Sequence, residues 1–309
     1  MKVYITVLAF LLGFAAQAQR PRFKKQFKYT SIGFNVNAMN YQGDLDPHPS
    51  IISPGLKFTK LNFGVCMLQR ITPRISVRGN FSRGTIEASD YENSSYSGDN
   101  IYRKIRNLSF INTIYELKAD VIYDLRPFTG IFPKRLDYVP YIFGGLAYFH
   151  HNPKAQAPAS FGGKWVALQP LELEGQKYSL NQIAIPVGIG FRFKLSEQFD
   201  LAYEVGFRFT FTDYLDDVSG KYVGREHFAN NPLAAAMQDR SMEAVQKDPI
   251  LAQWVESHNG YNTSGGYTTI NGYGRAGDQR GDPSRKDMYI VSGFHLIYIF
   301  KPQVVCPVH

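Results

Sequence analysis

Cysteine is nearly absent. Cys66 and Cys306 are the two in 309 residues, so no disulfide framework staples this chain. A single bridge between them is geometrically conceivable, because Cys66 falls near the end of the second strand assigned below and Cys306 just past the last. Beyond the first eighteen residues no apolar run is long enough to cross a membrane as a helix, which excludes a helical membrane protein. Acidic residues are outnumbered, 26 against 34 Lys and Arg, for a formal net charge of +8.

The first eighteen residues read as a secretory leader. Lys2 supplies the positive start, Val3 to Phe14 the apolar stretch and Ala16-Gln17-Ala18 the small-residue cleavage site, leaving Gln19 as the mature start. No cysteine follows that site, so the pattern is not that of a lipoprotein. The mature chain opens on a basic segment, 19–28, with Arg20, Arg22, Lys24 and Lys25 as candidate docking residues. In an exported protein nucleic acid is a poor partner. Lipid phosphates or an acidic periplasmic protein fit better, and a solvated basic tail is the plain alternative.

What the chain has is alternation. In Asp200 to Phe211 one face reads Leu201, Tyr203, Val205, Phe207, Phe209, Phe211 and the other Asp200, Ala202, Glu204, Gly206, Arg208, Thr210. Side chains two apart share a face of a strand, so such a piece is apolar on one side and polar on the other. Eight segments behave this way: 29–39, 60–69, 75–87, 108–124, 138–150, 181–193, 200–211 and 287–300. Gly144-Gly145 leave the facing of the fifth unassigned. Pro186 in the sixth must sit where no ladder donor is needed, as at a bulge. An aromatic share of 15% suits girdles at two membrane interfaces.

Connection lengths alternate too. Residues 70–74, 125–137 and 194–198 are short, while 40–59, 88–107, 151–180 and 212–286 are long. Outer-membrane barrels have short periplasmic turns and long extracellular loops. The expected fold is therefore all-β, an eight-stranded antiparallel transmembrane barrel over 29–300 in the outer membrane. Both termini are periplasmic, with a periplasmic tail over 301–309. A soluble lipocalin-like barrel is the rival, but it would put Phe207, Phe209 and Phe211 inside. In the last loop Asn231-Pro232 starts a helix running to Val245. A second covers Ile250 to Ser257, and the Gly-, Asn- and Thr-rich stretch to Gly281 reads as mobile.

Several stretches then combine: Asn40-Tyr41-Gln42-Gly43-Asp44-Leu45, Tyr115-Glu116-Leu117, Pro140 to Gly145, Leu173-Glu174-Gly175-Gln176, Ile185-Pro186-Val187-Gly188, Thr212-Asp213-Tyr214-Leu215-Asp216-Asp217-Val218-Ser219 and Asp239-Arg240-Ser241. Together they resemble the Bacteroidota outer-membrane barrel family that includes PorG, a component of the type IX secretion apparatus. The resemblance implies a non-enzymatic barrel that contacts periplasmic secretion-ring proteins.

Three constellations bear on chemistry. Asp213, Asp216 and Asp217, with Asp44 and Asp46 on the same side, are candidate calcium ligands. The alternative is that they pair with Arg225, Arg240 or Arg275 and cap turns. The inward row of Arg78, Glu116, Lys118, Asp120, Arg192, Glu204 and Arg208 is expected to pair across an interior that side chains fill. That makes a plugged barrel, not a pore. Asp213, Asp216 and Asp217 with Ser219 and His227 form an acid–base set in principle, but nothing fixes a nucleophile beside a base. The expectation is a monomeric barrel among outer-membrane lipids, with no enzymatic activity, no cofactor and no confident metal site. His150-His151 point to opposite faces, and His295 is a hydrogen-bonded lumen filler. Arg280-Gly281-Asp282 is a chance likeness to an integrin tripeptide. Trp165 is an interfacial anchor or, preferably, a loop-packing residue.

Overall fold

A computed structural model describes residues 28–46, 56–128, 134–264 and 266–301. The leader, the basic segment with Arg20, Arg22, Lys24 and Lys25, and Cys306 lie outside the described residues. Among the described residues twelve strands occur in chain order: β1 (Thr30–Gln42), β2 (Lys60–Arg70), β3 (Ile75–Ser89), β4 (Ser109–Asp124), β5 (Tyr138–His150), β6 (Pro153–Gln156), β7 (Trp165–Ala167), β8 (Asn181–Lys194), β9 (Phe199–Thr210), β10 (Tyr261–Ser264), β11 (Tyr267–Ile270) and β12 (Met288–Ile299). Eight of them, β1-β2-β3-β4-β5-β8-β9-β12, pair with their neighbours in a ring that closes between β12 and β1. All the pairings are antiparallel. The hairpin β6–β7 extends the sheet from the edge of β4 at Ile111↔Lys154.

The side chains settle which face is outside. Leu146 on β5 is 65% exposed and Phe294 on β12 56%, whereas the lumen-facing Arg78 and Glu204 are each 4% exposed. A lipocalin-like arrangement would reverse these values. On β5 the outward residues are Ile142, Leu146 and Tyr148, with Tyr141, Phe143, Ala147 and Phe149 inward. Pro186 sits in a gap of the β5–β8 ladder. Pairing stops at Gly144↔Val187 and resumes at Ala147↔Ala184 in unchanged register, so there is no bulge. A residue without an N–H costs nothing where no ladder bond is made.

The interior is less uniformly polar than alternation alone suggests. Near the end with the short turns, Leu68, Ile122, Tyr141, Phe143, Ile297 and Ile299 form an apolar cluster among the charges. At the other end Met39, Ile86, Phe110, Ile114, Phe149 and Tyr289 plug the mouth and continue into the loops.

Those loops are folded. Loop two carries α1 (Asp90–Asn93) and α2 (Asn100–Arg106), which the sequence did not signal. The expected helix to Val245 is two, α3 (Pro232–Gln238) and α4 (Ser241–Lys247). The Asp239 carboxylate accepts from the Ser241 amide, 2.9 Å, a local turn bond that competes with helix continuation and separates the two. Next comes α5 (Pro249–His258), whose N-cap Asp248 accepts from Ile250. The stretch read as mobile holds the hairpin β10–β11. Ile101 and Ile105 pack with Val245, Leu251, Val255, Ile270 and Tyr273 to give this cap its own apolar core.

Candidate functional site

Two buried charge assemblies lie inside this frame. The first fills the lumen. Arg78 reaches Asp120 at 2.7 Å and also meets Glu204, which accepts from Tyr141 at 2.6 Å. Lys118 pairs with Asp120 at 2.8 Å. Glu116 accepts from Arg208 at 3.3 Å and from Tyr289 at 2.7 Å. Arg192 bonds both oxygens of Asp124 at 2.7 Å. The seven charges singled out from sequence thus all have opposite-charge partners within the barrel. Sequence reading missed Arg70, which shares Asp124 at 2.7 Å, and Arg135, bidentate on Asp200. It had placed both arginines in connections. His295 stands 3.6 Å from Glu204, and Cys66 is buried on the inward face of β2.

The second assembly lies above the strands, under the cap. The run from Thr212 to Ser219 is a series of side-chain-capped turns. Asp216 accepts from the Val218 amide at 2.9 Å, and Ser219 donates to Asp213 at 2.7 Å. Asp217 takes a left-handed backbone, φ 68°, which short polar residues tolerate best after glycine. Tyr41 at the top of β1 stands between two acids, its hydroxyl 2.6 Å from Asp216 and 2.9 Å from Asp287. A hydroxyl has one proton to donate, so the second contact requires a carboxyl that is itself protonated. Burial pushes the Asp216, Asp287 and Asp44 carboxyls up, and the mutual repulsion of the acids adds to it.

A Cβ on Gly43 would fall 2.0 Å from Asp287 and 2.1 Å from the Tyr41 hydroxyl, and one on Gly281 2.3 Å from Asp44. Glycine at both places lets loops one and four converge. Asp44 accepts from the Asp282 amide at 3.0 Å. Asp46 closes a turn with its amide on the Gly43 carbonyl, 3.1 Å.

Arg280 joins loop three to loop four. It is buried, donates to Glu174 at 2.9 Å and to the Asp217 carbonyl, and approaches the Asp217 carboxylate at 3.5 Å. Glu174 also caps the Ser219 and Gly220 amides at 2.9 and 3.0 Å. Tyr178 donates to Asp217 at 2.6 Å and stacks on Tyr214, ring centroids 4.5 Å apart. Burial pushes Asp213 and Asp217 up to about 6, against the downward pull of the Ser219 hydroxyl and of Arg280 respectively.

These partners correct several sequence expectations. Among the described residues no three His, Cys, Asp or Glu side chains form a group that could hold a metal ion. Asp213 and Asp217 turn to Ser219, Tyr178 and Arg280 instead of to a shared centre. The arginine that pairs with Asp217 is Arg280, not Arg225, Arg240 or Arg275, and the cation beside Asp213 is Lys286 at 3.9 Å. Arg225 lies over the Tyr267 ring, Arg240 pairs with Glu243, and Arg275 bonds Asn271. Arg280 at 2% exposure is no part of a displayed tripeptide. Ser219 bonds Asp213, and the exposed His227 packs against Phe228, so no nucleophile–base pair is assembled. His151 is buried against Asn112 and the Ser179 carbonyl, and burial brings it down to about 4. His150 faces outward onto Asn181 at 3.0 Å. Trp165 is 56% exposed, which removes the packing role preferred for it.

Asp90 holds Arg106 through both carboxylate oxygens at 2.7 and 2.8 Å, and Arg106 in turn reaches the carbonyls of Asp44 and Arg280. Lys104 lies between the rings of Tyr91 and Tyr96, 4.1 and 4.7 Å from their centroids. Both tyrosines donate to Asp248. Loops one, two, three and four are thus tied into one cap by buried polar bonds.

A family model described as "Domain of unknown function (DUF6089)" matches residues 2–230. The chain belongs to the DUF6089 family. No curated protein matches it. This DUF6089 chain is similar in structure to several solved outer-membrane barrels. The attachment invasion locus protein Ail of Yersinia pestis, in complex with the heparin analogue sucrose octasulfate, shares 7% identity at TM-score 0.36. That match covers 88% of this chain and 99% of Ail. Neisserial surface protein A shares 9% at 0.35, over 89% and 98% of the two chains. The outer membrane protein OprG of Pseudomonas aeruginosa shares 9% at 0.35, over 89% and 96%.

Proposed function

We propose that this DUF6089 protein is a non-enzymatic outer-membrane barrel that serves as an envelope scaffold. In this reading the strands anchor a rigid loop cap on one side, and the short turns and basic N-terminal segment meet partners on the other. The observation that carries it is the inversion of ordinary packing: apolar side chains such as Leu146 and Phe294 face outward around the wall while Arg78, Glu116, Lys118, Asp120, Glu204 and Arg208 are buried inside. Water would penalise the first and leave the second unexplained; a lipid surround accounts for both. The paired lumen supports an anchor over a diffusion pore.

The finer role, docking of periplasmic secretion-ring proteins, rests on the motif resemblance. The test is purification of the tagged protein from its own outer membrane in mild detergent, with mass spectrometry of what accompanies it. Periplasmic ring proteins that are lost in a variant with Arg22, Lys24 and Lys25 all changed to Ala support docking by that segment. Equal recovery in the variant sinks it. A second reading is binding of a surface ligand by the cap, favoured by exposed Trp165, Tyr102 and Tyr267 on an otherwise well-packed assembly. Deleting 230–257 would abolish such binding and spare membrane insertion.

A further inference from the structure

At the end with the short turns the outward apolar face stops at a row of aromatic side chains, among them Tyr123, Tyr138, Phe193, Phe199 and Phe300. Two of them carry an arginine. Arg74 lies over the Tyr123 ring, 5.7 Å from its centroid, and its Nη1 donates to the Leu125 carbonyl at 3.0 Å. Arg126, the residue after Leu125, lies over the Tyr138 ring at 4.4 Å and donates to the Tyr138 carbonyl at 3.1 Å. Those bonds fix both guanidiniums on the outward side of adjacent strands β4 and β5.

Among the described residues neither arginine is in ion-pair reach of a carboxylate, and all 26 Asp and Glu of the chain fall among them. Lys28, Lys134 and Lys301 are exposed at the same end, against the exposed carboxylates of Asp137 and Glu197. Every lumen arginine, by contrast, has its acid. A guanidinium laid on a ring keeps a planar fork of donors that matches phosphate oxygens. Tyrosines at the edge of an apolar belt mark the level where headgroups begin.

From this placement we infer that Arg74 and Arg126, seated on Tyr123 and Tyr138, bind the phosphate of an anionic phospholipid at the turn end of the barrel. The inference rests on the membrane reading above. Their sideways position on the wall favours a lipid over a protein docking along the barrel axis.

The experiment folds the full chain into phosphatidylcholine vesicles with and without phosphatidylglycerol. Insertion is read by heat-modifiable migration and protease protection. The barrel is then extracted in mild detergent, and bound lipid is counted by native mass spectrometry. The wild type is expected to retain phosphatidylglycerol in preference to phosphatidylcholine. Arg74→Gln/Arg126→Gln is expected to insert equally and retain roughly thirtyfold less, as loss of two surface charges implies. Arg74→Lys/Arg126→Lys, which keeps charge but not the fork, should fall between. Insertion with equal retention of both lipids, or with no difference between wild type and the Gln variant, would overturn the lipid site and leave the membrane reading intact. A wild type that inserts in neither vesicle would overturn the membrane reading and the site together.

Discussion

Arg78 on β3 meets Glu204 on β9 across the lumen, joining strands that are not neighbours in the sheet. The contact brings two walls of the barrel together through its middle. Glu204 also takes the Tyr141 hydroxyl, and Arg78 also takes Asp120. Removing the cation leaves two buried acids with their remaining partners. Breaking a buried pair from one side costs about 3–5 kcal/mol, whereas replacing all members by apolar groups is often neutral. Arg78→Leu should therefore lower the urea midpoint of the vesicle-inserted barrel sharply. Arg78→Leu/Lys118→Leu/Asp120→Leu/Glu204→Leu, which also removes the lysine that would otherwise lose its acid, should recover much of the loss. A single variant as stable as the wild type would show that water reaches these charges.

The cap should weaken as pH rises. Asp213 and Asp217 are pushed up to about 6, and Asp216 and Asp287 are raised well above the usual carboxylate range, chiefly by burial. A carboxyl whose folded value lies above its unfolded value near 4 binds its proton more tightly in the folded state. That contribution is fully present below pH 4 and is lost as pH climbs through 6. Hydrogen exchange of residues 212–219, corrected for intrinsic rate, should show less protection at pH 8 than at pH 5. Asp216→Asn should flatten the dependence. Equal protection at both values would mean that these acids are solvated.

Arg280 carries the junction of loops three and four. Arg280→Met would leave Glu174 and Asp217 buried without their guanidinium, though Glu174 keeps its amides and Asp217 keeps Tyr178. The expected result is faster proteolysis within the cap at unchanged heat-modifiable migration of the barrel. The outer cap and the turn end of the wall have separate apolar clusters, with a third joining the mouth of the barrel to loops three and four. Loss of the barrel band as well would show that cap and wall fold as one unit.

The strands were legible because period-two alternation has no competing explanation over eleven to sixteen residues: β4 departs by one residue from its expected start and β5 by none. The loops were not. Helices of four and seven residues in loop two have no side-chain cap bond to announce them. The hairpin β10–β11 turns on Gly266 at φ +82°, inside a composition that reads as coil. For the lumen, the identity of the charges was in the alternation, but their partners needed the register. Arg70 lies on the last residue of β2, and assigning it to a turn concealed its bond to Asp124. In the cap, Asp213, Asp216 and Asp217 were found as a cluster, but Tyr41, Glu174, Arg280 and Asp287 arrive from three other segments. Pairing across that distance in sequence has no local signal, although Gly43 and Gly281 are its trace.

Tyr41→Phe isolates what the shared hydroxyl does. The ring would stay packed edge-on against Phe110, 4.9 Å between centroids. Asp216 and Asp287 would lose their common bridge and keep the Val218 and Leu215 amides. Loss of one buried hydrogen-bonding partner costs about 1–3 kcal/mol, so protection of the Leu215 and Val218 amides should fall by roughly tenfold or more at pH 5. Gly43→Ala should reach the same state by a different route, because its Cβ displaces the Tyr41 hydroxyl and the Asp287 carboxylate together. If the hydroxyl is what joins loop one to loop four, the double variant should be little worse than either alone. Additive losses would assign Gly43 to backbone packing and leave Tyr41 as one bond among many.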